Sequence, residues 1–122
     1  MTQRLIKQGL GWRIGWNSNT DIYQGLVGTD DWAIELTETE FKDFCRLFEQ
    51  LALSMQQMSQ ELMDQERIAC EAESQLMWLE VEGLPHAYSL RLLLSQGRRC
   101  EGYWPETVTK ELLQAVQTIL VF

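Results

Sequence analysis

The side chains able to do chemistry here are a set of glutamates, one histidine and three cysteines. Glu71 and Glu73 sit two residues apart, as do Glu80 and Glu82. On extended backbone each pair points to one side, so four carboxylates can gather on one face. A hard cation would need further oxygen ligands converging from an Asp/Gly-rich loop, and glycoside hydrolysis would need a cleft and one raised pKa. Neither is visible in the sequence, so the glutamates read as solvated partners of arginines. His86 follows Pro85 in a turn and reads as an exposed loop residue. Cys45, Cys70 and Cys100 read as small buried hydrophobes, and a Cys–His nucleophile would need His86 to fold back onto one of them. One histidine and three scattered cysteines do not compose a zinc site. Gly9-x-Gly11 with Gly15 lacks the spacing and the following helix of a phosphate loop. No catalytic residue, cofactor or metal is therefore expected. The chain reads as a non-enzyme, with an enzyme built on clustered glutamates as the least favoured alternative.

Nucleic acid is the next chemistry to weigh. Single strands want cations beside rings on which bases stack. Two neighbourhoods offer this: Arg13 with Trp16, and Arg91, Arg98 and Arg99 with Tyr103 and Trp104. These seven residues are the candidate binding surface. Strand alternation, however, sets Arg67, Arg91 and Arg99 on the same face as Glu71, Glu73, Glu80, Glu82 and Glu101. The face is then net negative, a ladder of cross-strand Arg–Glu pairs each worth about 0.2–1 kcal/mol. Phosphate binding depends on net positive charge, so the ladder is favoured over a phosphate site. Trp12, Trp16 and Trp32 lie on apolar faces and read as core.

These residues need elements to position them. Phe41, Phe44, Phe48, Leu51, Met55, Met58 and Leu62 recur at spacings of three and four, which predicts an amphipathic helix from about 38 to about 64. Thr37-Glu38-Thr39-Glu40 is a capping box at its start. A second helix is expected from Pro105, a suitable first helical residue, with Val108, Leu112, Ala115 or Val116, and Ile119 on one face and Leu113 and Leu120 widening it. The remainder alternates as strands: 2–8, 12–16, 22–28, 32–36, 68–73, 79–82, 88–95 and 98–104. Turns fall at 17–21, 28–31, 83–86 and 96–98.

Each half thus has four strands and then a helix, with a Trp (Trp32, Trp104) marking the fourth strand. This predicts an internal duplication within a single domain spanning 1–122, with pseudo-repeats of about 1–65 and 66–122. Two β4α units, each with one apolar sheet face, must bury those faces together. The expected fold class is α+β: antiparallel sheets packed with two helices. At 122 residues and 45% hydrophobic content the chain can build a core without staples. The net charge of −8 comes from 18 acids against 10 bases, concentrated over residues 29–73. An odd cysteine count, no apolar leader at the start and no long apolar run predict a cytoplasmic protein with reduced thiols and no membrane partner.

Glu71-Ala72-Glu73-Ser74, Trp78-Leu79-Glu80-Val81-Glu82-Gly83, Tyr88-Ser89-Leu90-Arg91 and Gly97-Arg98-Arg99-Cys100-Glu101-Gly102-Tyr103-Trp104-Pro105, with Gly11-Trp12-Arg13, resemble a small cyanobacterial family of unknown function. The resemblance spans nearly the whole chain and is most specific from Arg91 to Pro105. It implies a fold grouped with the Whirly-like single-stranded-DNA-binding transcriptional regulators, and it implies no activity. The lysine-rich strand that Whirly proteins present to single strands has no counterpart in Trp12–Trp16. The leading expectation is a binding or regulatory protein acting through protein contacts, with a homo-oligomer left open. The alternative is a single-stranded nucleic-acid-binding regulator.

Overall fold

The structure, a computed structural model, describes residues 4–61, 66–95 and 97–119. Two antiparallel four-stranded meanders follow one another, each succeeded by a helix. The first sheet is β1 (Arg4–Gly9), β2 (Trp12–Asn17), β3 (Gly25–Gly28) and β4 (Ala33–Leu36), followed by α1 (Glu38–Met58). The second is β5 (Ile68–Glu73), β6 (Met77–Leu84), β7 (Ala87–Leu94) and β8 (Glu101–Trp104), followed by α2 (Thr109–Ile119). Both sheets keep sequence order, so every strand pairs with its chain neighbour. The expected α+β class, with two antiparallel four-stranded sheets and two helices, is this arrangement.

Alternation decides the faces. In β6, Met77, Leu79 and Val81 are fully buried while Trp78, Glu80 and Glu82 are only partly covered. In β2, Trp12, Ile14 and Trp16 point inward together. Helix α1 packs on β3 and β4 of its own half and also on β5 and β6 of the other, while α2 packs on β1, β2 and β7. The inward faces of both sheets and the apolar stripes of both helices therefore merge into one core around Phe41, Phe44, Phe48, Leu51, Met55 and Trp104. Side-chain bonds tie the halves together. The Trp104 indole N–H donates to the Gly28 carbonyl at 2.9 Å, and the Trp12 indole N–H donates to Glu111 at 3.0 Å. Trp32, just before β4, lies over Gly102 of β8, where an added Cβ would come within 2.5 Å of the ring, so the two sheets meet there through a position that excludes a side chain.

The capping box forms as read: the Glu40 amide donates to the Thr37 hydroxyl at 3.2 Å, and the Thr37 amide donates to the Glu40 carboxylate at 2.9 Å. Strand β3 begins at Gly25 rather than 22, and β6 runs over Met77–Leu84 rather than 79–82, taking in Gly83 and Leu84 of the expected turn. Three further boundaries differ for a local reason. Helix α1 ends at Met58 rather than about 64, because the chain tightens into three-residue turns, with the Gln60 amide on the Gln57 carbonyl and the Glu61 amide on the Met58 carbonyl. Leu62, the last residue of the expected stripe, and Leu120 lie outside the described residues. Helix α2 begins at Thr109 rather than Pro105, since the Val108 amide closes a turn onto the Pro105 carbonyl before α-helical bonding starts at the Val108 carbonyl. Strand β8 begins at Glu101 rather than 98, because Gly97 and Arg99 take positive φ (83° and 49°) and break extended backbone there.

Candidate functional site

The outward face of the second sheet holds the glutamates, and the strand register fixes their neighbours. One row across β5–β8 reads Glu73, Trp78, Leu93, Glu101; the next reads Glu71, Glu80, Arg91, Tyr103; a third begins Ala69, Glu82, Ser89. Five carboxylates thus surround Trp78, Leu93 and Tyr103, of which Leu93 and Tyr103 are 38% and 46% exposed. Glu71 and Glu80 stand directly opposite each other, a like-charge pair that Arg91 and the Trp78 indole offset from either side. The Trp78 N–H donates to Glu71 at 3.2 Å. Arg91 lies 3.9 Å from Glu101 and 5.8 Å from the centre of the Tyr103 ring. At the near corner Arg67 makes a two-pronged contact with Glu82 at 3.0–3.3 Å and reaches Glu106 at 3.6 Å. The ladder of arginines among glutamates is present through Arg67 and Arg91. Arg99 does not join it by alternation, because it precedes β8 in a left-handed conformation.

The seven residues of the candidate binding surface do not form one surface. Trp104 is fully buried and Trp16 is 7% exposed, its ring 5.5 Å from that of Phe41, so neither ring is presented for stacking. Alternation carries both inward, and Trp104 fills the junction between the sheets. Arg13 is committed to backbone, donating to the carbonyls of Thr29 at 2.7 Å and Trp32 at 3.0 Å, which pins the β3–β4 turn. Arg98 crosses to the other half: it bonds Glu40 at 2.6 Å, donates to the Glu35 carbonyl and lies over the Tyr23 ring at 4.7 Å. Arg91 and Tyr103 are outward and adjacent, and Arg99 is exposed. Sequence reasoning passed over Trp78 and Leu93, although their parity was available: Trp78 alternates with the buried Leu79 and Leu93 with the buried Leu92.

The thiols and the histidine are apart. Burial, and to a lesser extent the charge of Glu49, pushes the Cys45 thiol up to about 12, so it is protonated at neutral pH and a poor nucleophile. Cys70 and Cys100 are half-buried against the core, and His86 is exposed on the Pro85-His86 turn. A recess of about 540 Å³ between α1, α2 and that turn is lined by Leu53, Leu113, Tyr88, His86, Glu49 and Lys110. Among the described residues, none of its titratable side chains is hydrogen-bonded to another, and no group of three or more His, Cys, Asp or Glu side chains is placed to hold a metal ion. No described helix is long and apolar enough to cross a membrane.

The fold and this face define a duplicated β4α protein whose outward surface carries glutamates, paired arginines and three large apolar or aromatic side chains. The chain belongs to the family described as domain of unknown function DUF1818, whose model matches residues 7–119. It is similar to a solved protein of unknown function, assigned to the DUF155 family, from the cyanobacterium Prochlorococcus sp. NATL2A. The two are 32% identical, with a TM-score of 0.90 over 96% of this chain and 98% of that one. No match is found among functionally curated proteins. The expected cyanobacterial family of unknown function is thereby met.

Proposed function

We propose that this chain is a non-enzymatic binding or regulatory protein that works through protein contacts, with the outward face of β5–β8 as its contact surface and a basic protein segment as its partner. The observation that carries this is the placement of Trp78, Leu93 and Tyr103 in adjacent rows amid five glutamates. Protein interfaces combine large aromatic or apolar anchors with a polar rim, and complementary charge steers encounter. A lysine- or arginine-rich segment fits this face, whereas a phosphate backbone is repelled by it. The three cysteines are free, consistent with a cytoplasmic setting.

The Whirly-like grouping also belongs to this reading, supported by two consecutive β4α units in one chain. It keeps single-stranded nucleic acid as the alternative partner. Against that alternative stand the interior rings of Trp16 and Trp104 and the engagement of Arg13 and Arg98 within the chain.

A photo-reactive benzoylphenylalanine placed at Leu93 tests the proposal in nuclease-treated native lysate. The expected result is a discrete protein adduct that a Glu71→Arg/Glu80→Arg variant loses at least about tenfold, the scale set by interface hot spots. An adduct unchanged by the charge reversal, or one formed with nucleic acid when nuclease is omitted, would overturn it.

A further inference from the structure

The outward face of the first sheet has a different character. Its central row reads Ile6, Gly15, Leu26, Glu35 across β1–β4. Ile6 is 54% exposed, and Gly15, having no side chain, leaves a notch walled by Ile6 and Leu26. The trough over this row measures about 320 Å³, with Tyr23 and Arg4 at its rim. Arg4 and Glu35 sit on opposite edge strands, and among the described residues neither side chain forms an ion pair within the chain.

This row is complementary to itself. A two-fold axis running parallel to the strands, between two stacked copies of the sheet, places β1 over β4 and β2 over β3. Leu26 of each copy then stands over the Gly15 notch of the other, and Arg4 of each comes within reach of Glu35 of the other. The same contact is made twice, as a closed isologous interface requires.

We propose that the outward face of β1–β4 is a two-fold self-association surface whose occupant is a second copy of this chain. A face of four short strands is small beside the extended, strongly apolar interfaces of obligate dimers, so association is expected to be reversible and concentration-dependent. The face is on the other sheet from Trp78, Leu93 and Tyr103, and the proposal does not depend on the function assigned to them.

Sedimentation of the full chain from low to several hundred micromolar provides the test. The expected species is twice the 14.2 kDa chain mass. Leu26→Glu should weaken dimerisation at least about tenfold, as loss of a central anchor does. Arg4→Glu and Glu35→Arg should each weaken it, and the double variant should return to within about threefold of the unmodified chain. Because β1 and β4 are about 14 Å apart at the spacing of adjacent strands, that rescue reads a contact between copies rather than within one. A monomer at all concentrations, a dimer indifferent to all of these changes, or a double variant no tighter than the singles would each overturn the proposal. The charge variants alter exposed positions, so the test stands even if Leu26→Glu fails to fold.

Discussion

Arg98 holds the two halves together at residue scale. Its guanidinium faces Glu40, which also completes the cap of α1, and it covers a backbone carbonyl on β4 as well as the ring of Tyr23. The pair is largely covered, with side chains 25% and 10% exposed. Removing the cation leaves a carboxylate with one fewer partner in a place poorly reached by water. Arg98→Met is therefore expected to cost about 1–3 kcal/mol of unfolding free energy in urea melts, the range for a charge-assisted bond whose partner is stranded. A loss below the error of the extrapolation would mean that Glu40 is satisfied by the cap alone. Arg13 works likewise, spending its donors on the β3–β4 turn. Neither role is visible in sequence, where both residues read as candidate phosphate contacts because each lies beside aromatic residues.

At the scale of elements, local pattern is enough wherever the partner is in the same strand or turn. Thr37→Ala removes the hydroxyl that accepts from Glu40 and leaves α1 with an uncapped first turn, at an expected cost of about 1 kcal/mol in the same measurement, with Thr37→Ser close to neutral. An unchanged midpoint in Thr37→Ala would deny the cap its role. The capping box, the eight strands and the inward Trp12–Ile14–Trp16 set were legible because each rests on spacing alone. The end of α1 was not, since Gln60 and Glu61 are exposed residues that no packing holds in a longer helix. The start of α2 was misread because a proline suits a first helical position and a tight turn equally well. Extending alternation through 97–100 misplaces Arg99, because Gly97 already signals a break there; a glycine marks such a break without stating how many residues it takes. Of the candidate surface, the Arg–Glu ladder could be read from parity. The inward direction of Trp104 follows from the same parity, since it alternates with the outward Tyr103; the junction it fills does not, because that depends on how the second meander meets the first.

For the whole molecule, charge is distributed by sheet. The second sheet turns five glutamates outward against Arg67 and Arg91, while the first turns outward a trough rimmed by Arg4, Arg13 and Glu35. With a net charge of −8 and most guanidiniums engaged by carboxylates or carbonyls, no continuous cationic track with open stacking rings is formed by the described residues. This distribution supports the proposal that the molecule meets protein rather than a phosphate backbone. Fluorescence anisotropy of a labelled single-stranded oligonucleotide at low ionic strength, where backbone binding is strongest, tests it most directly. The expected outcome is no rise in anisotropy up to tens of micromolar protein. A saturable rise that salt abolishes would contradict it.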